Sequence, residues 1–278
     1  MWGTTLESTG VSWTTWTLEP MLLLAVVVAA GLYQRGRAAG TARSGVDRRD
    51  AAFLAGLVVL VLAVMSPLDA AAGHLASAHM VQHLLLGLVV APLLVVAGPG
   101  HRILRGIPRD VVASGMRLGR TVRLVPSPRW WRRMDVAWLA NVAVLWGWHA
   151  AMAYDAALAD DVVHLVQHAS WLLAGWLWWR VVLRHRRAEP GIRLLFAFTT
   201  AMATVFLAAL MTFAGTPWYE GYATTTAAWG LTPLADQQLA GALMWVPGGL
   251  VYPATALWLL VGWLRSIEAE AQQPRAEV

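Results

Sequence analysis

Two pairs of histidines, His79/His83 and His164/His168, stand four residues apart inside apolar stretches, and His149 closes a third such stretch. Residues at i and i+4 leave a helix on one face, so each pair can aim two imidazoles at one point. A histidine in hydrocarbon is costly and normally faces the bundle interior or a partner. Five of them need a shared explanation, and a metal or haem site inside a membrane protein supplies one. Imidazole suits copper, zinc, iron and nickel. The chain has no cysteine, which removes disulfides, iron–sulfur clusters and thiolate ligands together without excluding Cu(I). Met80, Met152, Met211 and Met244 can add soft thioethers, although each also reads as a packing residue. Asp236 either orients a ligating imidazole through its free N–H or caps its own helix. Tyr154, Tyr219 and Tyr222 read as interface anchors, and His74, His101 and His185 as solvated surface histidines.

The elements that must position these residues are membrane helices. Hydrophobic residues make up 58% of the chain and charged residues 13%, far from the soluble norm of roughly a quarter charged. Seven apolar stretches follow one another: Trp16–Tyr33, Ala51–Met65, Ser77–Gly98, Asp135–Ala153, Val162–Leu183, Ile192–Ala214 and Leu239–Leu264. Most approach the ~20 residues that span ~30 Å of hydrocarbon as a helix. The second is short and needs Asp50 and Pro67 near the interfaces. The expected fold is therefore all-α, an integral bundle of seven transmembrane helices over residues 1–267, with a short tail over 268–278. Pro247-Gly248-Gly249 inside the last stretch predicts a kink or a close helix approach.

Charge sets the expected orientation. All 21 basic residues are arginine, and they fall in alternate connections: Arg35 to Arg49, Arg102 to Arg133, Arg180 to Arg193, and the C-terminal end. The other side carries only acids, among them Asp69, Asp155, Asp160, Asp161, Glu220 and Asp236. One side thus holds a net +13 and the other −8, which together give the formal +5. The positive-inside rule places the N-terminus outside and the C-terminus in the cytoplasm. The basic balance reports topology, not nucleic-acid binding. The first apolar stretch has arginine after it and none before it, the pattern of an N-out anchor rather than a cleaved signal peptide. The arginine-rich connection around Arg109 to Arg123 is either an amphipathic helix on lipid headgroups or a solvated loop. On this topology all five membrane histidines lie within roughly 10 Å of the outer interface at ~1.5 Å per residue.

Three motifs carry a resemblance. The run Ser77-Ala78-His79-Met80-Val81-Gln82-His83, leading to Ala91-Pro92 and Gly98-Pro99, resembles the multi-spanning CtaG family of cytochrome c oxidase assembly factors. So do Trp148-His149…Tyr154-Asp155 leading to His164-Leu165-Val166-Gln167-His168, and Asp236-Gln237-Gln238…Met244-Trp245-Val246-Pro247-Gly248. This is not the single-span copper chaperone that shares the name. The resemblance implies a bacterial plasma-membrane protein that matures a haem–copper oxidase by handling copper for its catalytic subunit. An extracytoplasmic copper chaperone is a further partner compatible with that role. Gln167 departs from the acidic residue expected before the second histidine of its pair.

The expected mechanism holds extracytoplasmic copper as Cu(I) on His79, His83, His149, His164 and His168, or on a subset. The copper then passes laterally to the oxidase by ligand exchange, and no enzyme activity is expected. Zinc remains an alternative metal. Three other readings compete: a haem-binding membrane electron carrier with two axial histidines, a transporter, and a metal-free assembly scaffold. A transporter requires polar residues through the cytoplasmic half, where spans three to seven have almost none.

Overall fold

A computed structural model of the chain describes residues 11–12, 14–17, 19–40, 47–111, 133–184 and 189–271, and its regular structure is entirely helical among these residues. Helix α1 (Pro20–Ala38) opens on a proline, whose missing N–H is unneeded in a first turn. Helix α2 (Arg48–Met65) starts on a capping box in which Asp47 accepts from the Arg49 and Asp50 amides and the Asp50 side chain accepts from the Asp47 amide. Ser66 ends α2 and caps the short α3 (Pro67–Ala72).

Next come α4 (Ala76–Leu84), a π-helical turn (Leu85–Val90) and α5 (Ala91–Ala97), which form one rod of 22 residues. It stops at Gly98, whose φ of 54° suits glycine. Then follow α6 (Gly100–Gly106), α7 (Met134–His149), α8 (Ala151–Ala159), α9 (Asp161–Arg184) and α10 (Pro190–Thr212). Two 3-10 turns (Glu220–Tyr222 and Thr226–Trp229) lead to α11 (Pro233–Ala271).

Each of the seven apolar stretches coincides with a long helix, but their membrane credentials differ. By length and composition α1, the α4–α5 rod, α10 and α11 can each cross a bilayer, and α7 with α8 makes a fifth if the bent pair counts as one span. Helix α2 begins with Arg48, Arg49 and Asp50, and α9 carries His164, Gln167 and His168 in its first half. Those polar and charged residues set both apart from the helices long and apolar enough to cross.

The fourth stretch also departs from expectation. It does not run straight to Ala153: the helix ends at His149, Ala150 adopts an extended conformation, and α8 leaves at 75° to α7. Helix α11 runs on through Pro247 and Pro253. The glycines beside Pro247 serve close packing, since a Cβ at Gly248 would lie 3.2 Å from Thr204 Cγ2 on α10. The segment containing Arg117, Arg120 and Arg123, His185, and residues 272–278 of the tail lie outside the described residues.

Of the four buried apolar clusters among the described residues, two bear on the site. One gathers Met80, Leu145, Tyr154, Met211, Tyr219, Tyr222 and Met244; the other gathers Ala137, Leu177, Trp178, Val181, Phe196 and Leu259. At one end α1 and α6 cross so closely that a Cβ at Gly36 would lie 1.7 Å from the Arg102 carbonyl oxygen and one at Gly106 would lie 2.0 Å from that of Leu32. The crossing brings Arg102 to Asp47, Asp50 and Tyr33, while Arg37 pairs with Asp50 at 3.3 Å. The hydrogen bond from Arg102 holds the Asp47 carboxyl down to about 2. Gly36→Ala should therefore destabilise the protein by about 1–3 kcal/mol, the usual cost of overpacking. Thermal unfolding of the detergent-purified protein measures it, and an unchanged midpoint would show that the crossing yields easily.

Candidate metal centre

The histidine cluster is assembled by three helices whose ends are individually fixed. The start of α4 is held by Asp236 from α11. Its carboxyl accepts from the Ala76 amide at 2.6 Å, the Ser77 amide at 3.1 Å and the Ser77 hydroxyl at 2.5 Å, and the residue is fully buried. An N-terminal turn with free amides attracts an acceptor of this kind. Asp236 thus caps neither its own helix nor an imidazole; it caps the helix that carries His79 and His83. Its neighbours act similarly, with Gln237 Oε1 accepting from the Trp218 amide at 2.5 Å and Gln238 donating to the Ala214 carbonyl at 3.0 Å. Helix α9 is capped by Asp160, which accepts from the amides of Val162 and Val163. That cap sets His164 and His168 on the first turns. His149 sits at the break after α7.

All five membrane histidines converge. Ring centroids are 4.4 Å apart for His79 and His83, 4.2 Å for His164 and His168, 5.4 Å for His79 and His164, and 5.5 Å for His83 and His168. His149 joins at 6.4 Å from His83. His79, His164 and His168 each bring a ring nitrogen such that all three lie within 4.8 Å of one another. His79 and His83 face each other with their Nε2 atoms 3.0 Å apart. Two nitrogens each ~2.0 Å from one tetrahedral ion lie about 3.3 Å apart, so this separation is already close to what a shared ion requires. His149 donates from Nδ1 to the Leu145 carbonyl at 2.6 Å, which turns Nε2 into the free position.

The decisive feature is what remains unpaired. His79 Nδ1, His83 Nδ1, His149 Nε2, His164 Nε2 and His168 Nε2 are all buried without a hydrogen-bond partner. Buried polar atoms are paired in the great majority of cases, and an unpaired one costs about 1–3 kcal/mol. Five on adjacent rings, of which one in the hydrogen-bonded His79–His83 pair carries a proton, mark a site built for something that binds ring nitrogens. A metal ion fits this donor set, which consists of neutral imidazoles with no carboxylate in the triad. Carboxylates stand further out, where the charges of Asp69, Asp161 and Glu19 reach His164. Gln167, also buried, lies against the His79 ring but makes no hydrogen bond of normal geometry.

The surrounding shell contains residues that the sequence reading placed elsewhere. Tyr154, Tyr219 and Tyr222 are buried, not interface anchors. Tyr154 stacks on Tyr219 at 3.9 Å and lies 5.0 Å from the His79 ring, while Tyr222 donates to the Ala72 carbonyl at 2.9 Å. Burial pushes the phenols of Tyr219 and Tyr222 above their ordinary range, so this cover stays uncharged. Trp171 stacks on His83 at 4.5 Å and donates its indole N–H to the His83 carbonyl at 2.8 Å. Trp179 donates to the Gly87 carbonyl at 2.8 Å. One indole thus binds a carbonyl just before the π-helical turn and the other a carbonyl inside it. Nothing in the spacing of the tryptophans announces that role.

Of the methionines, Met80, Met211 and Met244 are buried beside the cluster, with the Met211 sulfur 4.0 Å from the Tyr219 hydroxyl, whereas Met152 is 88% exposed and takes no part. His74 is half-buried, His101 is exposed, and neither joins the cluster.

Comparison with known proteins agrees with the motifs. Across 91% of its length the chain is 25% identical to an uncharacterized protein of Mycobacterium leprae (strain TN). It is 28% identical, over the same share, to uncharacterized proteins of Mycobacterium bovis and Mycobacterium tuberculosis. The chain spans 40% of the length of each of these relatives. No solved structure matches it. The match that assigns it covers residues 21–266, nearly the whole bundle, and by it the chain belongs to the cytochrome c oxidase caa3 assembly factor family, Caa3_CtaG.

Proposed function

We propose that this chain is a multi-pass protein of the bacterial plasma membrane that holds copper on its histidine cluster and delivers it to the catalytic subunit of a haem–copper oxidase. The observation that carries the reading is the set of five convergent imidazoles, each with one buried, unpaired nitrogen. Family membership supports the oxidase as destination, and the donor chemistry supports the cargo. In this reading α1, α2, the α4–α5 rod, the bent α7–α8 pair, α9, α10 and α11 are seven spans. The N-terminus lies outside and the arginine-rich connections face the cytoplasm. An extracytoplasmic copper chaperone is the natural donor, and the protein is a carrier rather than an enzyme.

The neutral donor set favours a monovalent ion. Burying a charge costs of order 20 kcal/mol by Born solvation for a unit charge and grows with its square, so a divalent ion without a carboxylate ligand is the poorer guest. Cu(I) accepts imidazole and thioether ligands and suits this arrangement. Haem fits less well. The cavity beside the cluster is about 40 Å³, against ~300 Å³ or more for sites that hold drug-sized ligands. A transporter fits less well too, because Leu177, Trp178, Val181 and Phe196 close the other core cluster with apolar surface.

The test is cellular. Cells whose only copy carries His79→Leu/His83→Leu should show oxidase activity as low as cells lacking the protein, with the variant present in their membranes. Full oxidase activity in those cells would remove copper from the account and leave a scaffold.

A further inference from the structure

The cavity of about 40 Å³ is lined by Met80, His83 and Met244, with Trp171, Asn141 and Thr204 around them. Met80 and Met244 are 1% and 2% exposed, yet both border open space instead of being wholly enclosed by packing. His83 borders the same space, and its Nδ1 has no partner. On its other side His83 meets His79 through facing Nε2 atoms, and His79 belongs to the triad with His164 and His168. His83 is therefore the imidazole that stands between the nitrogen triad and a space bordered by two methionines.

From this we infer that the cluster is two copper positions: a triad of His79, His164 and His168, and a second, softer Cu(I) position formed by His83, Met80 and Met244. The inference rests on the copper reading above and adds a site to it. The two positions have different chemistry. The triad includes two half-buried histidines, and the charges of Asp69, Asp161 and Glu19 reach one of them, His164; that acidic field offsets part of the cost of a second charge, so the triad admits Zn(II) as well as Cu(I). The second position offers one imidazole and two thioethers, all uncharged, a set that selects Cu(I) over Zn(II).

Movement between them is ligand exchange at constant oxidation state. A bond from copper to a histidine nitrogen breaks as one to a methionine sulfur forms, and no electron or proton leaves the site. Met211 is not part of this position, since its sulfur faces the Tyr219 hydroxyl. The cavity has room for the ion and a few water-sized groups, at ~10–15 Å³ each.

The absence of cysteine makes the test clean, because any sulfur bound to copper must come from methionine. The experiment is copper-edge X-ray absorption on detergent-purified protein loaded with Cu(I) under reducing, oxygen-free conditions, beside Met80→Leu/Met244→Leu. Leucine conserves volume, so the variant should fold; retention of Zn(II) by both proteins checks that the triad is intact. The wild type should show a sulfur shell together with nitrogen. The variant should lose the sulfur shell and about half of its Cu(I) while keeping Zn(II). A wild-type spectrum with nitrogen alone, or a sulfur shell that survives in the variant, would overturn the second position and leave the triad standing. Failure of both proteins to retain copper would instead overturn the copper reading and this inference with it.

Discussion

His79→Leu/His83→Leu should abolish metal retention and leave the metal-free protein as stable as the wild type, or more so. The expectation follows from what the two side chains do without a metal. Each is completely buried, each has an unpaired Nδ1, and their one polar contact is with each other. Replacing both partners of a buried hydrogen bond by apolar groups of similar size is close to neutral, whereas leaving donors or acceptors unpaired costs about 1–3 kcal/mol each. Leucine in both places removes the mutual contact and the two orphaned nitrogens together.

If the histidines served only packing or helix–helix hydrogen bonding, the same change would lower the unfolding midpoint and spare metal content. The two measurements therefore move in opposite directions under the two accounts. A site that is stabilised by its own removal is the mark of residues kept for function.

Asp236→Ala should do the reverse and damage fold and site together. The carboxyl accepts three hydrogen bonds at the start of α4, all of them buried. Alanine leaves two backbone amides and a hydroxyl without acceptors in a region from which water is excluded. The expected loss is at least about 3 kcal/mol, since each of the three groups left unpaired costs about 1–3 kcal/mol. Because His79 follows Ser77 by only two residues, fraying of that turn displaces the triad. Metal retention should fall even though Asp236 touches no imidazole.

Asp236→Asn, which keeps one acceptor oxygen, should retain a larger part of both stability and metal. Unfolding midpoints and metal content of the two variants check this. Equal losses in both would show that the formal charge, rather than the number of acceptors, holds the turn.

Much of this was legible in the sequence. The two i,i+4 pairs and His149 were visible from spacing alone, and the alternation of arginine-rich and acidic connections predicted that all five share one end of the bundle. The long helices followed from apolar stretches near the length of a bilayer. What the sequence could not carry was tertiary. The 75° break after His149 depends on an extended Ala150, and alanine has no propensity for breaking a helix. Asp236 read equally well as the cap of its own helix, because the turn it serves lies 160 residues away in the chain. Tyr222 looked like an anchor because a loop tyrosine in a membrane protein usually is one. Only the folded chain brings its hydroxyl to the Ala72 carbonyl. The division of the methionines, two at a cavity and one against a tyrosine, is likewise invisible to periodicity.

If the five imidazoles, each with one unpaired nitrogen, hold copper, metal content shows it first. Detergent-purified wild-type protein would be loaded with Cu(I), freed of excess and assayed for copper, with a visible spectrum taken on the same sample. The account predicts copper near or above one per chain and no Soret band. A protein that retains no copper, or one that carries a Soret band instead, would contradict it.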